Sequence, residues 1–103
     1  MQTITIGTTP LILLNPNKNR VRWSFQFVPS SIISGNTGKI YLGRGFIPNA
    51  TDGDPNQGES LIAGAAIEEK KQFKEDVLPY KGPIWIVASA ASQIAVLEEQ
   101  SEE

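Results

Sequence analysis

The sequence predicts an all-β domain, a small antiparallel β-sandwich or barrel of six to eight short strands. Two observations lead there. The run Arg20–Val28 alternates apolar Val21, Trp23, Phe25 and Phe27 with polar Arg20, Arg22, Ser24 and Gln26. That is the period of a strand with one dry face and one wet face, because successive strand side chains point to opposite sides. The other observation is a series of short β-compatible runs separated by clusters of Gly, Pro, Asn and Ser, the pattern of a sandwich or small barrel. Burial of the four large groups of Arg20–Val28 contributes roughly 1.5–3 kcal/mol each before chain entropy is subtracted. This strand is therefore expected at the centre of the core.

The elements follow in order. Gln2–Ile6 sets Thr3 and Thr5 against Ile4 and Ile6 and reads as a short edge strand. Leu11–Leu14 is apolar and β-compatible, and Asn15–Asn19 is a turn cluster around Pro16, which donates no ladder hydrogen bond. After the central strand, Pro29–Gly38 is a loop, and Lys39–Gly43 reads as a partner strand joined to Val21–Val28 as a long antiparallel hairpin. Pro48–Glu59 is a polar loop of a length that is often mobile or functional. Ile84–Ala88 is apolar on both faces, as in a strand covered on both sides. Gln93–Leu97 is the last strand of a single domain spanning residues 1–97, and the acidic tail 98–103 is expected to fray.

Residues 60–76 admit two readings. Ala65–Lys71 has strong helix propensity, and Ile62, Ala66, Phe73 and Val77 stand at near-helical spacing. Against this, Gly64 interrupts the run, no capping box opens it, and Lys71 precedes Glu75 in the weaker orientation. A strand and a short helix near residues 65–76 both stay open on the residues alone.

Composition excludes more function than it suggests. With 103 residues, 40% hydrophobic and 19% charged, the chain has the make-up of one folded domain. A net charge of −2 argues against sequence-independent nucleic-acid binding, which needs a basic surface. The chain has no cysteine, so it has no disulfide framework and no thiolate zinc site. It has no histidine, which removes the commonest general base and metal ligand. Its apolar runs are too short to span a bilayer, and its first residues lack the features of a signal peptide, so no membrane partner and no secretion by that route are expected.

The candidate sites are few. Asp52–Glu59 resembles the start of a calcium loop, but its glycine falls one place late and Glu59 comes well short of the closing position. It reads as loop chemistry, and no metal or cofactor is expected. Gly43–Phe46 lacks the ending of a phosphate loop. Glu68, Glu69, Glu75 and Asp76 are interleaved with Lys70, Lys71 and Lys74, as in a solvated face. No serine has a nucleophile-elbow context, and no enzyme is expected. Arg20, Arg22 and Arg44 read as lining the wet face of the central sheet, either for solubility and cross-strand pairing or as a protein-binding surface. Tyr80 and Trp85 complete that candidate surface. With Ile84 and Ile86 inward, Trp85 points outward, beneath a loop or into a partner.

Four stretches carry a resemblance that covers nearly the whole chain. They are Leu13–Val21, with its Asn-Pro-Asn-x-x-Arg opening; Gly38–Gly43, with Ile-Tyr-Leu-Gly; Tyr80–Val87, with Tyr-x-Gly-x-Ile; and the closing Ile94–Glu99. Together they resemble small capsid-associated proteins of tailed bacteriophages, of the decoration or head-fibre type. The long Pro48–Glu59 loop and the charged Glu68–Asp76 stretch depart from that pattern. The resemblance implies an extended conformation for Ala65–Glu69. It also implies a non-enzymatic subunit of the virion that assembles as a homo-oligomer and contacts capsid or other virion proteins. The competing expectation is a carbohydrate- or ligand-binding sandwich that uses Tyr41, Tyr80 or Trp85 as a stacking platform.

Overall fold

A computed structural model of the chain describes residues 2–51, 53–70 and 79–102. Among the described residues there are eight strands: β1 (Gln2–Ile6), β2 (Leu11–Leu14), β3 (Arg20–Phe27), β4 (Ile40–Arg44), β5 (Glu59–Leu61), β6 (Ala66–Lys70), β7 (Ile84–Ala88) and β8 (Gln93–Ser101). They make two antiparallel sheets of four, ordered β1-β8-β3-β6 and β2-β7-β4-β5. Every connection except β4–β5 passes from one sheet to the other. This is the order of a jelly roll, an eight-stranded sandwich of two Greek keys.

β3 is central, as its alternation predicts. Trp23, Phe25 and Phe27 are at most 1% exposed and face the second sheet, while Gln26 on the opposite face is exposed. Ile6, Ala95 and Leu97 join them from the first sheet, and Leu14, Ile40, Leu42, Ile84, Ile86 and Ala88 close the core from the second.

Two expectations are corrected. β3 and β4 do not form a hairpin: β4 pairs with β7 and β5, so the connection between them crosses the sandwich. Two buried amides hold that crossing. Asn36 Nδ2 donates to the carbonyls of Val28 and Ile94 at 2.8 and 2.9 Å, and Asn36 Oδ1 accepts from Ile94 N–H at 2.8 Å. Gln93 Nε2 donates to Gly35 O and Ala91 O, and its Oε1 accepts from Gly38 N–H. The last strand does not stop at Leu97. It continues to Ser101 beside β3, because the charges that look solvated in the sequence find arginines on that neighbour. Of the two readings open for residues 65–76, residues 66–70 take the strand, as the resemblance implies, with Ile67 opposite Phe25 and Glu69 opposite Trp23. Tertiary pairing overrides local helix propensity here. Residues 71–76 of the helical alternative lie outside the described residues.

The loop after β4 lies against the outer face of the second sheet. Gly43 has no side chain, which lets the Phe46 carbonyl approach its Cα, and Gly58, at φ 75°, fits against the Leu42 carbonyl and the Phe46 ring. A side chain at either place would push the loop away. Asn49 N–H donates to Asn56 O at 2.8 Å. Pro48 is buried, and Tyr41 and Val87 are only 2% exposed although they point outward.

Replacing Asn36 by alanine orphans the Val28 carbonyl and the Ile94 N–H and leaves the Ile94 carbonyl with only the Val28 N–H. An unsatisfied buried group costs about 1–3 kcal/mol. Urea unfolding of Asn36→Ala is expected to show a loss in that range.

Candidate functional site

Arg20 is fully buried, not on a wet face. The cause is a bulge. Arg20 lies opposite Ser101 while Arg22 lies opposite Gln100, so two residues of β3 advance against one of β8. The extra residue switches the parity of Arg20 from the outer side to the inner side. Its guanidinium then closes one end of the sandwich. Nε donates to Glu99 Oε2 at 2.7 Å, and NH1 donates to Tyr80 O at 2.7 Å and to Gly82 O at 3.2 Å. NH2 donates to Asn15 O at 2.6 Å. The planar fork thus ties together the β2–β3 turn, the segment before β7 and the end of β8.

Glu69 forms a second hub at the same end. Its Oε1 accepts from Trp23 Nε1 at 2.8 Å and from Tyr80 N–H at 3.1 Å. Its Oε2 accepts from Arg44 Nε at 3.0 Å and faces Arg44 NH2 at 2.8 Å. The Arg44 guanidinium sits 5.7 Å above the Trp23 ring, in cation–π range. Burial pushes the Glu69 carboxyl up, but the Tyr80 and Trp23 donors and the Arg44 charge outweigh it and hold the carboxyl below its ordinary value.

A carboxyl depressed on folding stabilises the fold above its unfolded value. That stability is lost as pH falls through the folded value. Glu69 therefore supports the domain fully above pH 4.5, and that support falls away on acidification from there through its lower folded value. Glu69→Gln should be less stable than wild type at neutral pH and lose less on acidification. Thermal melts across pH 3–7 measure both slopes, and parallel slopes would contradict the assignment.

Arg22 does occupy the outer face of the first sheet. It pairs with Glu98 at 2.7 Å and Glu68 at 2.8 Å, and hydrogen bonds to Glu68 and Glu98 push its guanidinium further up from its ordinary value. The three arginines therefore lie in three places rather than on one surface. Tyr80 is half-buried and packs on the core; its backbone joins the two hubs, and its hydroxyl lies beside Gly45 and Gly82. Tyr41 is buried. Glu75 and Asp76 lie outside the described residues, as does Asp52 of the calcium-like stretch. In that stretch Asp54 accepts from Asn56 N–H at 2.9 Å and from Asn49 Nδ2 at 3.3 Å.

Trp85 has different surroundings. It lies on the outer face of the second sheet, half-buried, with Ile12 opposite it on β2 and Gly43 opposite it on β4. Phe46 rests over Gly43, and Ile47 borders the crevice beside Val87. Ile12, Phe46 and Ile47 are 37%, 41% and 54% exposed. Exposed Ile12, Phe46 and Ile47 and half-buried Trp85 form an apolar patch, bordered beside Ile47 by Thr8, Asn49 and Asn56. Of the five expected site residues, Trp85 alone belongs to it. Ile12, Phe46 and Ile47 are not singled out by the sequence reading. The available signal was the apolar pair Phe46-Ile47, placed between Gly45 and Pro48 in a loop.

The chain matches no family model, no curated protein and no solved structure.

Proposed function

We propose that the chain is a non-enzymatic structural component of a phage particle, docking on the capsid through the outer face of its second sheet. The observation that carries this reading is the apolar patch of exposed Ile12, Phe46 and Ile47 around half-buried Trp85. Exposed apolar groups with a polar rim mark protein contact sites. The virion assignment is supported by the resemblance of Leu13–Val21, Gly38–Gly43, Tyr80–Val87 and Ile94–Glu99 to capsid-associated proteins. The jelly-roll order adds a fold-level analogy, since viral capsid domains use it. The arginines are engaged internally: Arg20, Arg22 and Arg44 hold Glu99, Glu68, Glu98 and Glu69.

The test is co-sedimentation with heads assembled from the major capsid protein of the phage that carries this gene. Wild-type protein is expected to pellet saturably with the heads, and Phe46→Ser with Ile47→Ser to weaken binding at least tenfold while keeping the melting temperature. A folded wild-type protein with no affinity for heads would overturn the reading.

Lectin domains also use the jelly roll, and Trp85 offers an outward-facing ring. Glycan-array binding that is abolished by Trp85→Ala would favour a carbohydrate-binding module instead.

A further inference from the structure

We propose that β1 is a pairing edge that joins two copies of this chain, antiparallel, about a two-fold axis through Ile4. The inference goes beyond the docking reading and does not depend on it, because β1 lies at the edge of the first sheet and the apolar face lies on the second.

Among the described residues the sandwich has four edge strands, β1, β6, β2 and β5. Edges present unpaired backbone groups, and monomeric proteins guard them with charge, bulges, proline or shortness. Three of these edges are guarded. β6 turns Glu68 and Lys70 outward, β2 follows Pro10 and carries a register shift, and β5 has only three residues. β1 has no such protection: it is uncharged, contains no proline, and runs five residues in unbroken register with β8. No Lys, Arg, Asp or Glu precedes Lys18 in the sequence, so neither β1 nor the turn after it carries a charged side chain. Charge depletion is the compositional mark of an interface core.

The ladder fixes which groups are available. Ile94 offers its carbonyl to Val28 N–H on β3 and its N–H to Asn36 on the same side, so Gln93, Ala95 and Leu97 turn their backbone groups to β1. Their partners Ile6, Ile4 and Gln2 are thereby used. The N–H and C=O of Thr3 and Thr5 point away from the sheet. Centring a second copy on Ile4 puts Thr3 of one copy opposite Thr5 of the other, twice. Each such pair exchanges both N–H···O bonds, and the Thr side chains meet across the strands. Ile4 meets its own copy on the core side. The edge is complementary to itself in this register, which is what a two-fold interface requires.

Two measurements test this. In wild-type protein, amide exchange at Thr3 and Thr5 is expected to slow at least tenfold as concentration rises, with Ile4 protected at every concentration by β8. Sedimentation velocity is expected to show a monomer–dimer equilibrium. Combining Thr3→Lys with Thr5→Lys, both at exposed positions, should move it to monomer with an unchanged melting temperature. Thr3 and Thr5 amides that exchange fast at all concentrations, or a dimer that keeps its affinity with both lysines in place, would overturn the proposal.

Discussion

Replacing Arg20 by methionine should destabilise the domain by about 3–5 kcal/mol, the cost of breaking a buried charge pair by removing one partner. Methionine fills much of the same volume, so the loss reports the guanidinium rather than a hole. Without it, Tyr80 O, Gly82 O and Asn15 O lose their donor, and Glu99 loses its counter-charge. A domain of this size has about 5–15 kcal/mol in all, so the variant should sit near its unfolding midpoint in mild urea. Arg20→Lys is expected to recover only part, because a compact ammonium cannot reproduce a planar fork that reaches four acceptors in three segments. Urea titrations of the three proteins measure the series. Equal stability of wild type and Arg20→Met would remove Arg20 from its place as the closing group of the sandwich.

Trp23→Ala should cost a similar amount, about 3–5 kcal/mol for a large core aromatic. Three losses combine there: a fully buried ring on the central strand, the Nε1 donor to Glu69, and the surface beneath Arg44. Trp23→Phe separates them. It keeps most of the ring volume and removes the donor, for which about 1–3 kcal/mol is expected. Because Glu69 also receives Arg44 and Tyr80 N–H, the Phe variant should make the Glu69→Gln substitution milder than it is in wild type. A double-mutant cycle by chemical denaturation reads that coupling, and strictly additive losses would show that Trp23 and Glu69 do not act together.

The parts of the fold that were legible in the sequence are those set by period-two patterning and turn chemistry. The inward face of β3 from Trp23 to Phe27, the β1 edge, the two-sided burial of Ile84–Ala88 and the outward direction of Trp85 all follow from alternation. What was hidden depends on long-range pairing. The Arg20 and Arg22 spacing predicts one face, and only the bulge separates them, a step in register that leaves no trace in composition. Glu98 and Glu99 look like a solvated tail because the arginines that hold them lie some eighty positions away. Sheet assignment was hidden too. A strand, a polar loop and another strand read as a hairpin, whereas here the loop carries the chain across the sandwich and is pinned by Asn36 and Gln93. The candidate site inverted the expectation. Arginines and Tyr80 looked like contact residues because they are polar or aromatic, yet they close the end of the sandwich or pair across one sheet. The exposed face is built by aliphatic and aromatic groups whose position depends on how a loop folds over Gly43.

Binding of wild type, Phe46→Ser and Arg22→Ala to purified heads, measured side by side, distinguishes an apolar contact from a charged one. Arg22 is the surface arginine of the first sheet, and Phe46 belongs to the exposed face of the second. Retained affinity in Arg22→Ala with at least a tenfold loss in Phe46→Ser is the predicted result. Loss in Arg22→Ala with full binding by Phe46→Ser would contradict it.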